Sequence, residues 1–175
     1  MAPVKSLADG HTKLAVLAIA PTDPTAITLT ELEAALDASC RIAKNGYSLG
    51  PTASETFADP ALCEDVNSNV WGASNFESSI PVFRYYDDTT QQIDEAGDEV
   101  YQALKEKGTE VWLVERESLK KSTDPWEVGD VVNVYRALLD NPQKATDRTG
   151  YIKNVIAPAI QEGHLDVTVG GTTGV

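Results

Sequence analysis

The chain has 175 residues and a mass of 18.8 kDa, which suits one domain spanning 1–175, and 42% of its residues are hydrophobic, enough for a core. Asp and Glu number 27 against 14 Lys and Arg, a formal charge of -13, which argues against a nucleic-acid binder with a basic face and against a polybasic membrane-surface protein. The same charge does not exclude a protein that nucleic acid slides past, because such a protein needs a wall that repels phosphates.

The longest apolar run near the N-terminus, Leu14 to Ala20, is too short to span a bilayer. Asp9, Gly10 and His11 interrupt the approach that a secretion signal would need. The run reads as a short buried strand after a polar arm over 1–13, and Pro21 and Pro24 end it. Ile27 to Ala38 reads as a short helix. Thr28 and Glu31 have capping-box spacing there, and Ile27 and Leu32 can form a hydrophobic staple. Cys40 to Leu49 predicts a hairpin around Asn45-Gly46. From Gly50 to Gly72 the periodicity fades, with scattered Phe57, Leu62, Val66, Val70 and Trp71. Such a segment is expected to order on something outside its own core.

Ile80 to Tyr86 predicts a strand. Thr89 to Gly108 predicts the longest helix, with Ile93, Ala96, Val100 and Leu104 on its apolar face. Val111 to Val114 and Val131 to Leu139 predict strands, the second apolar on both faces. Tyr151 to Ile160 reads either as a strand broken at Pro158 or as a short helix, and Leu165, Val167 and Val169 alternate. Residues 170–175 read as a loose tail. The sum is a mainly β chain with no βαβ units and no internal repeat.

The residues carry no catalytic signature. His11 and His164 lack a metal-binding or triad context, and no P-loop, GxSxG or dinucleotide-binding glycine pattern is present. Acidic pairs such as Asp87/Asp88 and Asp98/Glu99 carry little information in so acidic a chain, and Asp87/Asp88 lacks EF-hand spacing. Cys40 and Cys63 form no CxxC pair. One disulfide is arithmetically possible and a reduced pair is the expectation. No catalytic, metal or cofactor site is expected. Trp71 and Phe76 flank the aperiodic segment and suit a subunit interface. Arg84 and Arg116 join them as suspected interface residues, and with Arg136 are candidate basic partners for acids of a neighbouring chain.

Several stretches, in order, resemble the major tail tube proteins of long-tailed (siphovirus-type) bacteriophages, closest to those of actinobacterial phages. They are Met1 to Lys5, Gly46 to Thr52, Val70 to Phe76 with Val82 to Tyr85, Val111 to Arg116 and Trp126 to Asp130. The resemblance implies a phage tail-tube fold, β-sandwich or barrel-like, with one flanking helix and a long inter-subunit loop at about 50–75. It also implies hexameric rings stacked into a hollow tube, in which one sheet of each subunit lines the lumen. Such a tube assembles in the host cytoplasm around a tape-measure protein, ends at terminator and baseplate or tail-tip proteins, and conducts DNA without binding it or entering a membrane. The family supplies no catalytic residues. A tail terminator or head-completion ring protein shares related folds. A carbohydrate-binding β-sandwich using Trp71 and Trp126, or a hydrolase using paired carboxylates, are the readings from other classes.

Overall fold

A computed structural model describes residues 4–5, 7–63, 65–66 and 69–171. In chain order the elements are β1 (Thr12–Leu17), α1 (Leu29–Glu33), β2 (Leu36–Asp37), a 3-10 turn (Ser39–Arg41), β3 (Ser48–Thr52), β4 (Thr56–Ala58) and β5 (Asn69–Trp71). They continue with β6 (Asn75–Phe83), α2 (Glu99–Leu104), β7 (Glu110–Glu117), β8 (Val131–Leu138), β9 (Gln143–Lys144), β10 (Lys153–Ile156) and β11 (Ala159–Thr168). The fold is mainly β, and its sheets are antiparallel and open. A five-stranded sheet runs β11-β8-β7-β1-β2, a four-stranded sheet runs β3-β6-β10-β9, and β4 pairs with β5 as a separate ribbon.

The five-stranded sheet is apolar on both faces. Leu14, Val16, Val111, Leu113, Tyr135 and Ala137 pack against Ile80, Val82 and Ile156 of the four-stranded sheet, and α2 adds Val100 and Leu104. On the opposite face, Ala15, Leu17, Trp112, Val114, Val132 and Val134 pack under Ile27 and Leu32 of the α1 region and under Trp126. Strand residues alternate between faces, so the consecutive apolar residues Val111 to Val114 of β7 and the buried Val132, Val134, Tyr135 and Ala137 of β8 serve both faces, each with its own cover. The chain passes from β10 to β11 across Pro158, and so moves from one sheet to the other within three residues.

Charged groups inside this packing are tied. Arg116 is fully buried. Its Nη1 donates to Asp130 Oδ2 at 2.7 Å and to the Pro125 carbonyl at 2.9 Å, and its Nη2 donates to the Lys121 carbonyl at 2.9 Å. Lys13, also buried, pairs with Asp37 at 3.0 Å and donates to the Ser122 and Asp124 carbonyls. Both cations lie over the Trp126 ring, at 5.3 Å for Lys13 and 5.1 Å for Arg116. The 118–130 loop is thus held down by two cations that satisfy its carbonyls. Burial pulls the Asp130 carboxyl up, but hydrogen bonds from Lys120 and Arg116 outweigh it and hold the group below its ordinary value.

Most of the expected elements are present. Leu14 to Ala20 contributes its first four residues to β1, and the strand then ends. The Thr28/Glu31 capping box forms, with the Thr28 amide donating to Glu31 Oε2 at 2.9 Å, although the helix stops at Glu33. Tyr151 to Ile160 resolves into strands on either side of Pro158. Three expectations are corrected. The Cys40–Leu49 hairpin does not form. Gly46 turns the chain with φ +87°, but both flanks pair with β6: Ile42 bridges Val82, and β3 pairs with Asn75 to Ser79. The long helix from Thr89 shrinks to Glu99–Leu104. The Asp87 carboxylate takes the Thr89 and Thr90 amides, which favours a turn over helical bonding, and Gln91 adopts φ 56°. Ile93 bridges Tyr86 and stays exposed. Gly97 lies against Tyr85, where an added Cβ would meet the Tyr85 Cβ at 2.7 Å. Finally, Gly170 is not loose, because it exchanges hydrogen bonds with Ile27 and Leu29, whereas 172–175 lie outside the described residues.

Two stability predictions follow from the packing. Leu104→Ala should cost about 2–5 kcal/mol from lost burial plus a cavity, whereas exposed Glu99→Ala should stay within about 0.5 kcal/mol. Urea unfolding of the monomer measures both, and equal losses would show that the helix face is misassigned. Arg116→Ala should cost about 3–5 kcal/mol in the same assay, since it breaks a buried ion pair and removes the donor to the Pro125 and Lys121 carbonyls, although Lys120 still pairs with Asp130. A near-neutral result would place Arg116 at a surface instead.

Candidate assembly surfaces

The loop expected over 50–75 begins inside the sheet. Its first residues complete β3, opposite Glu77, Phe76 and Asn75 of β6. Beyond Thr52 the chain leaves as the β4–β5 ribbon, with Phe57 opposite Val70 and Thr56 opposite Trp71. Opposed residues share a face, so Phe57 and Val70 lie on one side and Trp71 on the other. Trp71 is 72% exposed, Val70 66% and Phe57 60%. Gly72 sits beneath the Phe57 ring, where a Cβ would come within 2.7 Å of Cε2, and its amide donates to the Glu55 carbonyl at 2.7 Å. The ribbon is therefore ordered locally while its apolar side chains face outward on both sides.

The four residues singled out for an interface do not come together. Trp71 alone is largely exposed. Phe76 is half-buried and meets Tyr135 edge-on, with ring centroids 6.1 Å apart, over Gly163. Arg84 is held by a fork on Asp98, Nε to Oδ1 at 2.8 Å and Nη2 to Oδ2 at 3.1 Å, and its guanidinium lies 3.7 Å from the Tyr101 ring centroid. Burial raises the Asp98 carboxyl, but hydrogen bonds from Arg84, Gln102 and the Tyr85 amide more than offset that and keep it low. Arg116 is enclosed in the 118–130 anchor and offers no surface. The sequence reading missed Phe57 and Val70 as members of the exposed ribbon. Their signal was the short Thr-Phe-Ala and Asn-Val-Trp alternation, which carries little weight until the two strands are paired.

An acidic cleft lies at the root of the ribbon. Residues 47–51 of the β3 region, Glu77 of β6, and Glu115 and Glu117 of β7 line it. Tyr47 Oη donates to Glu115 Oε1 at 2.6 Å. Burial, with repulsion from Glu117, pushes the Glu115 carboxyl up to about 7 against the opposing hydrogen bonds from Tyr47 and Asn133. Burial beside Glu115 likewise pushes the Tyr47 hydroxyl well above its ordinary value. Among the described residues no group of three His, Cys, Asp or Glu side chains could hold a metal ion, and no helix is long and apolar enough to cross a membrane. Cys40 and Cys63 are exposed free thiols.

The Glu115 shift fixes a sign. Its carboxyl ionises near 4.5 when unfolded but near 7 in the fold, so the protonated form favours folding. That contribution is complete below about pH 4.5 and is lost as pH rises through about 7. Glu115→Gln stays neutral and should flatten this part of the stability profile, leaving the variant more stable than the parent at about pH 8. Thermal unfolding at about pH 5 and about pH 8 checks this, and an unchanged slope would remove Glu115 as its source.

Comparison with known proteins supplies the family. A search of curated proteins finds no match. The family model described as "Phage tail tube protein" matches residues 1–172, nearly the whole length. The match agrees with the mainly β architecture and the open antiparallel sheets, and the chain belongs to the phage tail tube protein family.

Proposed function

We propose that this structural tail protein forms six-membered rings that stack into the tail tube of a long-tailed phage, of the type infecting actinobacteria, and that DNA passes through the bore during ejection. The family match supports the tube itself. The observation that carries the assembly reading is the β4–β5 ribbon, whose Phe57, Val70 and Trp71 are exposed on both faces. A ribbon apolar on both sides suits being clasped by a neighbouring subunit, because contact then removes both faces from water. The open edges of both sheets are a second reason, since an isolated chain leaves their backbone groups unpaired and a ring can cover them. The charge of -13 suits a conduit with acids along the bore, which keeps phosphates off the wall. A tape-measure protein would set the tube length, with terminator and baseplate or tail-tip proteins at its ends and assembly in the host cytoplasm.

Electron microscopy of the purified chain tests this reading. Long tubes are expected, whereas isolated rings would favour a terminator or head-completion role. Replacing residues 53–72 with a short Gly/Ser linker spares β3 and β6. The variant should keep the parent's circular dichroism and lose tube growth. Tubes of normal length would remove the ribbon from assembly. Duplex DNA should not be retained on a filter at about 0.15 M salt, and tight retention would contradict an acidic bore.

A further inference from the structure

Clefts of opposite charge flank the four-stranded sheet, one at its β9–β10 edge and one between β3 and the end of β7. At the β9–β10 edge an open cleft of 620 Å³ is lined by Arg84, Lys144, Arg148 and Lys153, with the exposed Tyr151 beside them. Arg84 is neutralised by Asp98, but Lys144, Arg148 and Lys153 have no carboxylate within 4.0 Å among the described residues. Several cations elsewhere are tied to carboxylates within the subunit, among them Lys13, Lys107, Arg116, Lys120 and Arg136, and those without such a pair, such as Arg41 over the Tyr85 ring and Lys105 on Gln102, are scattered rather than clustered. The cleft also holds one acid, Asp147, which accepts hydrogen bonds from Thr149 of the same loop and whose carboxyl is held low by them and, to a smaller extent, by the Lys153 charge, leaving the cleft with a net positive charge. At the β3 edge lies the acidic cleft, where Glu77 and Glu117 are exposed and Glu115 is tucked behind them.

These two patches do not neutralise each other within one chain. Lys153 is opposite Phe83 on β6, six positions from Glu77. At strand rise that is roughly 20 Å, well beyond the screening length of about 8 Å at physiological salt. A chain of net charge -13 must bring its copies together against mutual repulsion, and an exposed cluster of unpaired cations is the feature that can offset it locally. We infer that the basic cleft at the β9–β10 edge receives the acidic cleft beside β3, with Glu77 of β6 and Glu117 of β7, of a second copy of this chain. The contact is heterologous, since two different patches meet. Repeated head to tail, it closes a ring or extends a helix. Charge rather than a long backbone ladder sets the pairing, because β9 has two residues and β3 contains Pro51, which cannot donate. The inference rests on the tube reading and adds the faces that meet. Nucleic acid fits the cleft less well, because three free cations are few against the field of so acidic a chain.

Two full-length variants test it. One carries Lys144→Glu, Arg148→Glu and Lys153→Glu, and the other carries Glu77→Lys and Glu117→Lys. All five positions lie at least partly at the surface, and circular dichroism checks that both variants fold. Each alone should lose assembly by about tenfold or more in sedimentation velocity at low salt. An equimolar mixture should recover it, because every contact then joins opposite charges again. Either variant assembling like the parent, or a folded mixture that fails to recover, would overturn the contact while parental tubes leave the tube reading standing. A parent that stays monomeric would overturn the tube reading and this contact with it. Filter retention of duplex DNA by the parent, abolished in the triple variant, would reassign the cleft to nucleic acid.

Discussion

The five-stranded sheet needs cover on both faces, and the rest of the molecule answers that need. A sheet with one wet face could stand on one packed layer. Here β7 and β8 place large apolar groups on each side, so two separate covers are required. The four-stranded sheet and α2 supply one, and α1 with the Trp126 loop supplies the other. The second cover is thin. α1 has five residues, too few to be stable alone, so its capping box and the insertion of Ile27 and Leu32 must hold it. The Trp126 loop has no regular structure of its own and depends on Lys13 and Arg116 bonding its carbonyls.

This arrangement explains why basic residues proposed for a subunit contact are found inside. A buried cation is costly unless its hydrogen bonds are satisfied. Arg116 meets that condition with a carboxylate and several backbone carbonyls, and Arg84 with Asp98 and Tyr101. The cations that cluster without a carboxylate partner are on the β9–β10 hairpin, at the far edge of the second sheet. Part of the apolar surface left over from the core lies on the β4–β5 ribbon, as Phe57, Val70 and Trp71.

A tail tube asks for a rigid wall and adaptable joints. In the proposed assembly the double-covered sheet serves as the wall, and the joints extend from the edges of the second sheet: the ribbon and acidic cleft at the β3 side, the basic hairpin at the β9 side. Both joints therefore report the position of the same packed layer. Glu115 and Tyr47 connect that layer to the first sheet across the root of the ribbon, so the ribbon leaves the subunit from a fixed point.

The strand-rich class, the strands at Leu14, Ile80, Val111 and Val131 and the capping box at Thr28 are legible in the chain itself, whereas the segment expected to turn outward from Gly50 does so only beyond Thr52. The legible features are local or periodic properties, fixed by side chains within a few residues of one another. The sequence also carried the resemblance to tail tube proteins. Tertiary structure alone decided the rest. Asn45-Gly46 turns the chain as expected, but its flanks bond to β6, because a turn fixes direction and leaves the choice of partner to the sheet. The helical spacing from Ile93 to Leu104 is real, yet Asp87 captures the amides of its first turn and Gly97 must approach Tyr85, so helix survives only from Glu99. Arg116 reads like any strand arginine until the Trp126 loop closes over it. Lys144, Arg148 and Lys153 are ordinary scattered cations in the sequence, and become one patch only because a hairpin folds them onto the same edge.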